Sequence, residues 1–158
     1  NTHTIIIKKD NVMKKTTSRN GFTLIELIIV MVILGIMAAV AVPRYLDSIS
    51  NAEESAENAV ISSIRAGLKA AANDSLYTNG RASWPTNPFD ALAEKPAGYT
   101  ENGDLADVDG EWTFFTDGDQ TKISHQRADN SRHTWDYNKG TQDGDDAVVG
   151  SLGTRVAN

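Results

Sequence analysis

The chain has 158 residues, a formal charge of −6 at neutral pH, 40% apolar and 23% charged residues, and no cysteine. That length accommodates one domain, or one domain with an appendage. The missing cysteines exclude disulfide scaffolds, thiol catalysis and cysteine-ligated zinc, and three histidines leave little for a histidine-based metal site.

The first residues read as a leader. The sequence opens on Asn1, but Met13 followed by Lys14 and Lys15 is the better translational start. Lys8-Lys9-Asp10 can be encoded by a purine-rich stretch of the ribosome-binding kind, so residues 1–12 are expected to be untranslated, with a longer natural leader as the alternative. Residues 13–21 are polar and basic, with Lys14, Lys15 and Arg19 and no acid. Residues 22–42 then form an apolar run of 21 residues with one charge, Glu26. A run of that length spans a hydrocarbon core of about 30 Å at about 1.5 Å per residue. It is longer than the apolar part of a secretory signal, although Ala38-Ala39-Val40-Ala41 offers the small residues of a cleavage site. The basic residues before it place the leader on the cytoplasmic side and the remainder outside.

Glu26 is the informative residue. A carboxylate inside hydrocarbon costs several kcal/mol unless it is paired or protonated, so its presence there points to a function. The plainer reading is a carboxylate one helical turn deep that reaches back to water.

The segment Gly21-Phe22-Thr23-Leu24-Ile25-Glu26-Leu27, continued by Gly35, Pro43 and Arg44-Tyr45, resembles the processing motif of type IV prepilins and type II secretion pseudopilins. The resemblance is confined to the N-terminal part of the chain. It implies cleavage between Gly21 and Phe22 by a membrane aspartic prepilin peptidase, and methylation of the new amino group on Phe22. It implies that Glu26 compensates the positive N-terminal amine, typically of a neighbouring subunit, during assembly. The further implied partners are identical copies in a helical filament and an inner-membrane assembly platform. The implied location is a single pass through the inner (cytoplasmic) membrane, then an extracellular pilus or a periplasmic filament. Breaking a buried pair by removing one member costs about 3–5 kcal/mol, so the Glu26 pair would act as a check on register more than as glue. Pro43 removes a backbone donor and clashes with the preceding turn, which weakens the helix between Gly35 and Pro43. In related filaments this stretch loses helical structure, which implies an extensible segment; a simple proline kink is the alternative.

After Pro43, Leu46, Ile49, Ala56, Val60, Ile64, Leu68 and Ala71 recur at three- and four-residue steps. One helix over about residues 23–75 is expected, kinked at Pro43 and apolar on one face of its second half. Glu53, Glu54 and Glu57 read as a solvated face. Asn79-Gly80 ends the helix. Residues 77–110, with Pro85, Pro88 and Pro96, form a connecting loop that Trp84, Phe89 and Leu92 pin to the domain. Residues 111–116, 122–126 and 134–137 are β-prone, separated by Asp117-Gly118 and by Asp129-Asn130-Ser131. The fold class is therefore α+β: a long N-terminal helix, hydrophobic in its first half, packed by its second half on a small antiparallel sheet, as in pilins. The expected organisation is a leader at 1–21, a hydrophobic transmembrane and assembly helix at 22–43, and an exported globular domain at 44–158.

The remaining candidates are weaker. His125 and His133 read as strand-surface residues. Asn73-Asp74-Ser75 matches a glycosylation sequon, which is discounted because it needs eukaryotic machinery. Arg127 and Arg132 make no nucleic-acid patch. The whole chain carries −6 and its first 21 residues +4, leaving −10 on the rest, so no direct nucleic-acid binding is expected. Asp143, Asp145 and Asp146 around Gly144 could hold calcium, which takes oxygen ligands, and major pseudopilins have a similar acidic loop. Asp117 with Asp119 competes for that role, and a solvated acidic turn is the plainer reading. Many pilins close their C-terminal region with a disulfide; this chain cannot, so another device must hold it. Three functions follow for consideration: a structural subunit of a type IV pilus, a pseudopilin of a type II secretion system, and a membrane-anchored enzyme. No nucleophile–base pair, metal-ligand cluster or phosphate loop in the sequence supports the third.

Overall fold

The computed structural model describes residues 21–101, 103–141 and 149–158. The elements in chain order are helix α1 (Leu24–Asn79), a 3-10 turn at Pro88–Ala91, and strands β1 (Tyr99–Thr100), β2 (Trp112–Asp117), β3 (Gln120–Gln126), β4 (Arg132–Asn138) and β5 (Ser151–Ala157). The chain divides into two compact units, residues 1–45 and 46–158.

The described part of the first unit has no regular secondary structure at residues 21–23, is helical from Leu24, and is exposed throughout. Leucine, isoleucine, valine and methionine occupy every side of this part of α1, so no face is reserved for a core. An 18-residue window has a mean hydropathy of 2.9 with none of it buried. By length and composition α1 is able to cross a membrane. Helix runs without interruption through Gly35 and Pro43.

The second unit is α+β, as the sequence implied. Its five strands lie in the order β1-β2-β3-β4-β5. β2 to β5 form an antiparallel meander, and β1 adds to β2 in parallel. The later part of α1 buries Ile61, Ile64, Leu68 and Ala72, spaced to fall on one stripe. Ile61, Ile64 and Leu68 share a core with Phe89, Trp112, Ile123, Trp135 and Tyr137. Trp112, Phe114, Ile123, Trp135 and Tyr137 are placed by the two-residue period of their strands and by the cross-strand pairs Phe114–Ile123–Trp135.

The expected apolar face is shifted. Ile64 and Leu68 are buried and Val60 packs half-buried on the core, but Leu46 and Ala56 are exposed, and Ile61 and Ala72 are buried as well. The helix closes at Asn79, where Gly80 turns the chain with φ of 72°, the left-handed exit that glycine accepts most readily. The connecting loop is pinned as expected, with Phe89 fully buried and Trp84 and Leu92 packed on the core. Tyr137 Oη also donates to the Pro85 carbonyl at 2.6 Å. Asn87 caps the 3-10 turn by accepting from the Phe89 N–H at 3.0 Å. The three expected strands are present as β2, β3 and β4; β1 and β5 were not anticipated.

Candidate processing and assembly site

Gly21 and Phe22 lie just ahead of α1, outside regular secondary structure. Phe22 is 90% exposed, and a Cβ on Gly21 would have no neighbour within 4 Å. The peptide bond between them is therefore exposed in the single chain. Thr23 and Glu26 then close the start of the helix reciprocally. The Thr23 N–H and Oγ1 donate to Glu26 Oε2 at 2.8 and 2.9 Å, while Thr23 Oγ1 accepts from the Glu26 N–H at 3.3 Å. This is a capping box, which satisfies donors that the first turn otherwise leaves bare. Glu26 thus has polar partners within its own chain, which reading it as a lone acid did not foresee. The threonine three residues before it was the available signal. Gly35 and Pro43 sit inside α1, and nothing lies within 4 Å of a Cβ built on Gly35.

The model for the prokaryotic N-terminal methylation motif matches residues 16–42. The N-terminus of this chain carries that motif. The chain is 40% identical over 80 residues to a type IV major pilin protein, PilE1, of Neisseria gonorrhoeae, covering 51% of the chain and 45% of that protein. It is 49% identical over 45 residues to the type IV narrow pilus major component PilA5 of Thermus thermophilus, covering 28% of the chain and 39% of that protein. It is 34% identical over 82 residues to the type II secretion system core protein G of Pseudomonas aeruginosa, covering 51% of the chain and 54% of that protein. The chain spans about half the length, or less, of these curated relatives. No solved structure matches the chain with significance.

The second unit contains a charged centre where the sequence suggests a solvated face. Glu57 is not on a solvated face: it is fully buried. Arg127 grips it in bidentate fashion, Nε to Oε1 and Nη2 to Oε2, each at 2.7 Å. His125 Nδ1 lies 3.0 Å from Oε1, and Arg155 Nη1 donates to Oε2 at 3.1 Å. Glu54 pairs with Arg155 at 2.7 Å, and Glu53 accepts from the Ala128 N–H at 3.1 Å. His125 and His133 are not strand-surface residues either; they are 8% and 9% exposed. His125 stacks on Trp112 with ring centroids 4.2 Å apart. Burial pushes the Glu57 carboxyl up, but the bonds from Arg127, His125 and Arg155 outweigh it and hold the group well below the ordinary carboxylate range.

Two signals could have found this centre. Glu57 lies four residues before Ile61 and seven before Ile64, on the buried stripe. His125 is two residues from Ile123, and His133 two from Trp135, so the strand period turns both inward with the core. The calcium candidates Asp143, Asp145 and Asp146 lie outside the described residues. Asp117 is held by Lys122 at 2.9 Å, and the described residues contain no group of three or more histidine, aspartate or glutamate side chains placed to hold a metal.

Proposed function

We propose that this protein is a structural subunit of a type IV pilus or a pilus-like filament, cut between Gly21 and Phe22 by a prepilin peptidase and polymerised through the first part of α1. The observation that carries the reading is the exposed apolar start of α1, with the methylation motif and Glu26 at its tip. Phe22 is 90%, Leu24 76% and Met31 66% exposed. Continuous apolar surface on this scale needs cover. Lipid supplies it to a membrane-anchored precursor, and the helices of other copies supply it after assembly. Cleavage creates an amine one residue from the Thr23–Glu26 box, which gives Glu26 a charged partner beyond its own cap. Gly35 and Pro43 mark where the helix would yield when the fibre is stretched. The names of the relatives, two pilus components and a secretion-system protein, favour a structural role over an enzymatic one.

A type II secretion pseudopilin is the second reading, favoured by the match to core protein G, of which this chain covers 54%. Gly21→Trp is expected to leave unprocessed precursor in the membrane, seen as the slower band on a gel of whole cells. Glu26→Val is expected to be cleaved normally yet to yield few filaments. Normal filaments from Glu26→Val, or normal processing of Gly21→Trp, would overturn the respective assignment. Electron microscopy of the cell surface separates the two readings: long external fibres support the pilus, and their absence beside secretion genes supports the pseudopilin.

A further inference from the structure

The Glu57 carboxylate is full. Oε1 meets Arg127 Nε and His125 Nδ1, and Oε2 meets Arg127 Nη2 and Arg155 Nη1. A carboxylate offers about four lone-pair sites, so no acceptor position remains. His133, opposite His125 in the β3–β4 ladder, holds its Nδ1 3.7 Å from Glu57 Oε1. That nitrogen is buried and has no hydrogen-bond partner among the described residues. A proton arriving there finds both acceptor positions of Oε1 taken, by Arg127 Nε and His125 Nδ1, and adds a cation that repels the arginines already seated on the carboxylate. Arg155 is the one least firmly held. Its contact is the longest of the four, its side chain is 29% exposed, and Glu54 stands 2.7 Å away to receive it.

We propose that this centre is an acid-opened clasp on the C-terminal strand, in which protonated His133 displaces Arg155 from Glu57 and loosens β5 from α1. The clasp does without cysteine what a cross-link would do: Arg155 belongs to β5 and Glu57 to α1, so their contact ties the last strand to the helix. The groups around His133 are Glu57, with Glu53 and Glu54 further along α1, His125 of β3, Arg127 and Asp129 of the turn after β3, and Arg155 of β5. Burial lowers the proton affinity of His133; Glu57 opposes this, and Arg127, Arg155 and His125 reinforce it. A histidine lowered in the folded state leaves the closed form at full stability above its ordinary value of 6.5, and that stability is lost as pH falls below it.

The test is hydrogen exchange on the full chain in detergent micelles at about pH 7 and about pH 5, corrected for intrinsic rates. The amides of β5 should exchange severalfold faster at the lower pH, because the open form binds the proton more tightly than the closed form. Those of β2 and β3 should not accelerate with them. His133→Gln should abolish the acceleration, and Arg155→Gln should show fast β5 exchange already at neutral pH. If His133→Gln does not fold, the imidazole titration of His133 in the unaltered protein replaces it; its midpoint should coincide with that of the β5 acceleration. Unchanged β5 exchange, acceleration of all strands together, acceleration that persists in His133→Gln, slow β5 exchange in Arg155→Gln, or unmatched midpoints would each overturn the clasp.

Discussion

Replacing the Glu57 carboxylate by an amide leaves the buried Arg127 facing a group that cannot neutralise it, while Arg155 keeps Glu54. Removing one partner of a buried ion pair costs about 3–5 kcal/mol, because the charges left behind stay out of water. Glu57→Gln should therefore lower the stability of the second unit by about that amount, read as a shift in its denaturation midpoint. The same residue sets an acid limit. Its folded-state carboxyl lies well below its ordinary value of 4.5. The stability it contributes is present above that value and is lost as pH falls beneath it. A plot of stability against pH should fall below about pH 4.5 in the native chain and flatten over the same range in Glu57→Gln. His133 acts nearer neutrality, so the two contributions separate along the pH axis. Neither group stood out in the sequence as buried. Each obeys the period of its own element, but a charged or ionisable residue at an inward position is read as outward unless its partners are in view. For Glu57 those partners, Arg127 and Arg155, lie 70 and 98 residues further along the chain.

Elements with an unbroken period were legible. The burial of Ile64 and Leu68 on α1, the end at Asn79-Gly80 and strands β2 to β4 follow from residue spacing and turn chemistry alone. β5 was not, and its ladder explains why. The register shifts between Trp135 and Tyr137, whose partners are Arg155 and Leu152. Two residues of β5, Gly153 and Thr154, thus face one of β4. This bulge breaks the two-residue alternation and brings Leu152 and Arg155, three apart, toward α1. β1, with two residues, is too short to leave a pattern. At the N-terminus the site residues were legible because the motif is local, while the Thr23–Glu26 cap was obscured by reading Glu26 only as a membrane charge. Gly67 carries a prediction at this scale. A Cβ there would strike the Ala91 carbonyl oxygen, so the absent side chain lets the 3-10 turn close on α1. Overpacking costs about 1–3 kcal/mol, and alanine returns about 1 kcal/mol of helix propensity. Gly67→Ala should be neutral to destabilising by about 2 kcal/mol in thermal melts. Gly35→Ala, which meets nothing in the single chain, should leave the melting of the second unit unchanged.

Across the whole molecule, charge and apolar surface are segregated along the sequence. The first 21 residues carry +4 of a total of −6, so a chain cut after Gly21 carries −10. Copies brought together through their apolar helices must bring those negative charges with them, and like charges oppose association. Screening shortens the reach of that repulsion from about 30 Å at 0.01 M salt to about 10 Å at 0.1 M and about 3 Å at 1 M. The apolar attraction is not weakened over this range, and excluded salts strengthen it. Both effects act in one direction, so assembly of the cut subunit should increase as sodium chloride is raised from about 0.01 to about 0.5 M. Sedimentation of filaments from a fixed amount of purified subunit reads the outcome. Ion pairs between neighbouring copies would act the other way, since exposed pairs weaken with salt. Filaments that dissolve as salt rises would mean that such pairs, rather than the apolar helix surface, dominate the cohesion of the fibre.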